Sequence, residues 1–170
     1  MALAQQVVGT PGPEMVIPPA SMLSVASAAV WYGAEAVTGM RFHLPGPQTY
    51  RWANLYVSTA SGNIQVVVAR LTRSGTTVTA SPVMNSGVIA CPAAGNQRID
   101  LTATALTVGD YALGLWCDNT TAQFLHATST PLAAARLAFS TTRTGGISTG
   151  SFTFPASGRW VTGLTLETDS

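Results

Sequence analysis

This chain of 170 residues is only 9% charged: eight arginines, no lysine and seven acidic side chains give a net charge of +1. An ordinary soluble domain is about 25% charged, and the shortfall shows in a mean hydropathy of +0.28. The arginines never form a run, and proline interrupts the longest uncharged stretch near the start, Met15–Ala34, which excludes nucleic-acid binding through a basic patch and gives no sign of a helical membrane anchor.

In chain order, residues 1–20 carry Pro11, Pro13, Pro18 and Pro19 with Gly9 and Gly12 and show no period. They read as an extended arm ahead of a single domain over 21–170. The first ten residues lack the basic and apolar regions of a secretory leader, so assembly in a cytoplasm is expected. Cys91 and Cys117 then read as free, buried thiols rather than a disulfide.

From about Met22 the signal is β. Tyr50, Trp52, Tyr56 and Val57 lie in a strand-like run, and Ile64–Ala69 is a nearly continuous apolar run, as in a strand buried on both faces. Ile99 and Leu101 alternate with Arg98, Asp100 and Thr102; Tyr111, Leu113 and Leu115 alternate with Ala112, Gly114 and Trp116. Near the end, Trp160, Thr162, Leu164 and Leu166 alternate with Val161, Gly163 and Thr165. Turn chemistry separates these runs at Leu44–Pro47, Ser61–Asn63, Arg73–Gly75, Ala94–Asn96 and Val108–Asp110. The spacing predicts an all-β, antiparallel β-sandwich of about eight strands. Pro131–Arg136 is the one helical scrap, with Pro at a first helical position after Thr130. Ser140–Gly158, centred on Gly145-Gly146, reads as a long loop or loose hairpin whose Phe152 and Phe154 would suit a subunit contact.

Catalytic signatures are scarce. His43 and His126 sit in strand-like segments without a nucleophile elbow, and both read as polar strand residues. Pairing of either histidine with a carboxylate inside a cleft would favour a hydrolase. Two cysteines and two histidines without paired spacing give no zinc site, and no phosphate loop is present, so no cofactor is expected. Asp118-Asn119 has no calcium loop around it and reads as a turn. Tyr50, Trp52, Trp116 and Trp160 could stack on sugar rings; the alternative places them in the core or at a subunit interface.

Ile99–Asn119 contains L-x-x-G-x-Y-x-L-x-L (Leu106 to Leu115) followed by Asp118-Asn119. With Tyr50–Ser58 and Ile64–Leu71 it resembles small β-sandwich modules of tailed-bacteriophage virion proteins, over roughly residues 22–125. The resemblance implies a jelly-roll-like fold and a non-catalytic virion component: a capsid-decoration subunit, or a tail-associated receptor- or carbohydrate-binding module. The expected partners are the chain itself, as a homo-oligomer and preferentially a trimer, and the major capsid or other virion proteins. In the tail alternative a host-surface glycan is added, with neither nucleic acid nor membrane. The side chains expected to meet a ligand or a neighbouring subunit are Trp52, Trp116, Asp118, Asn119, Phe152 and Phe154.

Overall fold

Alternating apolar and polar residues, cut by Gly, Pro and Asn, produce strands and turns and no helix among the described residues. The computed structural model describes residues 27–31, 33–74, 77–127, 138–142, 144–147, 152–153, 160–161 and 163–169. The expected N-terminal arm, the helical scrap Pro131–Arg136 and Phe154 lie outside them. The strands are β1 (Ser27–Val30), β2 (Ala36–Leu44), β3 (Gln48–Thr59), β4 (Asn63–Ser74), β5 (Thr77–Asn85), β6 (Ile89–Ala90), β7 (Gly95–Leu106), β8 (Gly109–Cys117), β9 (Gln123–Ala127), β10 (Ala138–Thr142), β11 (Phe152–Thr153), β12 (Trp160–Val161) and β13 (Leu164–Thr168).

Four nested antiparallel pairs organise the chain: β1 with β9, β2 with β8, β3 with β7, and β4 with β5. Further pairing of β9 with β3 and of β8 with β4 joins them into two four-stranded layers, β1-β9-β3-β7 and β2-β8-β4-β5. This is one long hairpin rolled into a sandwich, the jelly roll. All five turn segments read from the sequence fall at strand junctions. Gly62 and Gly109 hold φ of 62° and 154° at two of them, a region open to glycine and costly for other residues.

Inward residues of both sheets form one apolar interior. It includes Tyr50, Leu55, Ile64, Val66, Tyr111, Leu115 and Phe124, each with at most 1% of its surface exposed. Trp31, between β1 and β2, joins this interior with its ring edge-on to Phe124 at 5.3 Å. Its indole N–H donates to the Ala36 carbonyl at 3.2 Å. The run Ile64–Ala69 is buried throughout, as its composition predicts. Ile64, Val66 and Val68 face the interior, while Val67 and Ala69 belong to a second cluster on the outer face.

That second cluster, with Val37, Ala80, Ala112 and Trp116, is closed by Ile147. Here the C-terminal part of the chain departs from the expected loose hairpin. β10 pairs with β2 at one margin of the second sheet, and β11 pairs with β5 at the other. The chain therefore passes from one margin to the other between Thr142 and Phe152, with Ile147 seated on the outer cluster. The described part of this strap is pinned by Gln65, whose amide donates to the Ile147 carbonyl at 2.8 Å and accepts from its N–H at 2.5 Å. The Gly145 N–H donates to Glu35 at 2.8 Å. An apolar sheet face left bare would expose several buried side chains, so the crossing serves the core.

The segment expected as one last strand is split. β12 pairs with β9 and β13 with β3, so the chain slips between those two strands. Gly163 marks the passage: its carbonyl accepts from the Tyr56 N–H at 2.9 Å. A β-carbon there would lie 3.0 Å from that of Tyr56.

Candidate binding cleft

Of the six side chains singled out by sequence, Trp52, Trp116 and the Asp118-Asn119 pair are described and do not converge; Phe154 and the side chain of Phe152 lie outside the described residues. Trp116 lies on the outer face of the second sheet, only 2% exposed, inside the cluster closed by Ile147. The backbone of Phe152 pairs with Ala80 in β11.

Asp118 and Asn119 build a turn. The Asp118 carboxylate accepts from the Asn63 backbone N–H at 2.9 Å, the Asn63 amide at 2.7 Å and the Asn119 amide at 2.8 Å. Asn119 in turn donates to the Ser61 carbonyl and accepts from the N–H groups of Thr121 and Ala122. Partial burial pushes the Asp118 carboxyl upward, but these donors outweigh it and hold its pKa below the usual aspartate value. The carboxylate is thus engaged within the chain.

Trp52 is half-buried on the outer face of the first sheet. A bulge in the β3 pairing at Arg51 puts Arg51 and Trp52 side by side. The guanidinium of Arg51 lies 4.6 Å from the Trp52 ring centre and that of Arg98 lies 4.3 Å away, both within cation–π range. Arg51 also forks onto Asp100 at 3.2 and 3.4 Å, and Arg98 pairs with Glu167. The Arg51 guanidinium, and after it the Thr102 N–H, hold the Asp100 carboxyl below its usual range. With Asp169, five of the fifteen charged side chains gather around one ring. A ring already overlaid by guanidinium groups offers a sugar a poor stacking surface.

A concave feature among the described residues lies elsewhere, where the second apolar cluster meets solvent. A cleft of about 310 Å³ is lined by Arg41, Phe42 and His43 of β2, Leu71, Thr72 and Arg73 of β4, Val78 of β5 and Asp110 of β8. Strand alternation explains the grouping. Arg41 and His43 share the outward parity of Val37, Leu71 and Arg73 that of Ala69, and Asp110 that of Ala112. Leu71 and Val78 pack against the outer cluster and give the cleft an apolar floor.

The β2–β8 register sets His43 opposite Asp110, and His43 Nδ1 lies 2.8 Å from Asp110 Oδ1. A histidine paired with a carboxylate in a cleft is the arrangement that would favour a hydrolase. It is incomplete here. No hydroxyl or thiol of a described residue hydrogen-bonds His43 Nε2, and both side chains are more than half exposed, at 61% and 68%. The neighbouring hydroxyls of Thr72 and Thr79 bond each other at 2.7 Å. Among the described residues the dyad orients an imidazole, and no nucleophile is hydrogen-bonded to it.

The thiols of Cys91 and Cys117 are free. Cys91 stands beside β4 on the β6 side and Cys117 on the β8 side. Two strand spacings separate them, about 9–10 Å, beyond the roughly 7 Å a bridge tolerates. Burial pushes the Cys117 thiol up to about 11 and raises Cys91 as well.

Of the residues lining this cleft, His43 alone stands out in the sequence as a candidate for chemistry. The lining residues come from four strands and meet only through register, as the 67-residue separation of His43 and Asp110 illustrates. No protein-family model matches the chain, and neither a curated protein nor a solved structure matches it.

Proposed function

We propose that this chain is a non-enzymatic structural subunit of a bacteriophage virion, a capsid-decoration protein that binds the particle surface as a homo-oligomer. The observation that carries this reading is the jelly-roll winding, an architecture used by viral capsid proteins and by lectin-like domains. The fold argues for a class and not for a site. The sparse charge supports the same reading: with five of fifteen charged side chains gathered around Trp52, much of the remaining surface presents amides, hydroxyls and small apolar groups that suit contacts between copies.

A second reading, a tail-associated receptor- or carbohydrate-binding module, is favoured by one observation, the cleft bordered by Arg41, His43 and Arg73. Immunogold labelling of intact particles separates the two. Label over the head is the expected result, label confined to the tail tip favours the second reading, and unlabelled particles would overturn both.

A further inference from the structure

The cleft has a chemistry of its own, independent of whether the chain assembles. It is lined by the exposed Arg73, by Arg41, whose Nε is buried, and by one carboxylate, Asp110. Asp110 is turned to His43 at 2.8 Å. Arg73 is exposed and makes no hydrogen bond or ion pair with another described residue. A guanidinium fork matches a planar carboxylate in two parallel hydrogen bonds.

His43 adds selectivity. With Nδ1 facing the Asp110 carboxylate, His43 leaves Nε2 available on the rim. A ring nitrogen there can share a hydrogen bond with a ligand hydroxyl, which both donates and accepts. Leu71 and Val78 supply a floor for carbon rather than for a naked ion. With Asp110 on the rim, a singly charged acid fits better than a dianion such as phosphate. The volume lies at the small end of ligand sites, suited to one sugar ring or a short acid.

We propose that this cleft binds a small hydroxylated carboxylate, with its acid group held by Arg73, a hydroxyl hydrogen-bonded to His43 Nε2, and its carbon skeleton on Leu71 and Val78. Two sources share that chemistry: a free hydroxy acid, and an acidic sugar such as the terminal residue of a glycan.

The test is titration of the purified full chain, followed by amide NMR shifts, with lactate, D-glucuronate, neutral D-glucose and inorganic phosphate. Saturable shifts clustered on β2, the end of β4 and Asp110 are expected with at least one acid and not with glucose. Tighter binding of glucuronate identifies an acidic sugar, and equal or tighter binding of lactate identifies a free hydroxy acid. Arg73→Gln should weaken binding at least tenfold. His43→Ala should weaken it several-fold, with far-ultraviolet dichroism confirming that both variants are folded. Absence of shifts with both acids, phosphate binding as tightly as the acids, or unchanged binding in both variants would overturn the proposal. None of these outcomes depends on a particle, so failure here leaves the assembly reading standing.

Discussion

At the scale of single residues, the turn joining β3 to β4 shows how little freedom some positions have. Gly62 sits at φ 62°, and a β-carbon there would lie 1.8 Å from the Asn119 amide nitrogen and 2.2 Å from an Asp118 carboxylate oxygen. Gly62→Ala is expected to cost about 3 kcal/mol, through strain and disruption of the Asp118–Asn119 network. Gly46→Ala, at a turn with nothing within 4 Å, should be near neutral, and urea denaturation compares the two directly. Thiols make a second residue-scale case. Burial raises the pKa of Cys117 to about 11, and raises Cys91 and Tyr50 in the same direction. The unfolded chain then releases protons first, so stability is full below the ordinary thiol range near 8.5 and falls as pH rises toward about 11. A loss on the order of 2 kcal/mol between pH 8 and 11 is expected from Cys117. Cys117→Ala should flatten most of that slope in unfolding curves. The Asp118-Asn119 dipeptide was legible as a turn because Asp and Asn bond their own neighbourhood; the geometry that closes the site around Gly62 was not, since it comes from a second turn 55 residues away.

Among elements, strands and their breaks were readable because their causes are local. Ile64–Ala69 is buried on both parities because Ile64, Val66 and Val68 meet the sandwich interior while Gln65, Val67 and Ala69 meet the strap at Ile147. The strap itself was not readable. Ser140–Gly158 is rich in Ser, Thr and Gly, which signals a loop but not its path. What directs it is the bare face around Trp116 and a glutamine 82 residues away. Gln65→Ala removes both hydrogen bonds to the Ile147 peptide in a buried setting, at an expected cost of about 2–3 kcal/mol. Hydrogen exchange should then show the Ile147 amide exchanging much faster, while the interior amides of β4 and β8 keep their rank order of protection. Equal protection of Ile147 in both proteins would mean that the strap is held by something other than Gln65. β7 illustrates a different management problem. Its outer margin has no partner strand among the described residues, and it is interrupted by Thr102 at φ 65° and by the charged side chains Arg98 and Asp100. Bulges and charges of this kind discourage indiscriminate edge pairing, so contacts between copies are expected through faces and loops.

For the whole molecule, the two outer faces divide the labour. One holds a third of the charges in a closed cluster over Trp52, and the other carries an apolar patch closed by Ile147 with the Arg41–His43–Arg73–Asp110 cleft beside it. Between them, the low overall charge leaves few groups to keep isolated copies apart in water. That composition, on a jelly roll, is the ground for the central claim that the chain works as a self-associating subunit. The direct test is the mass of the purified protein by light scattering, from micromolar concentrations upward and at both low and high salt. One discrete species at a multiple of the 17.6 kDa chain mass is expected, a trimer in the first instance, that persists at high salt. A species of 17.6 kDa at every concentration would contradict that claim.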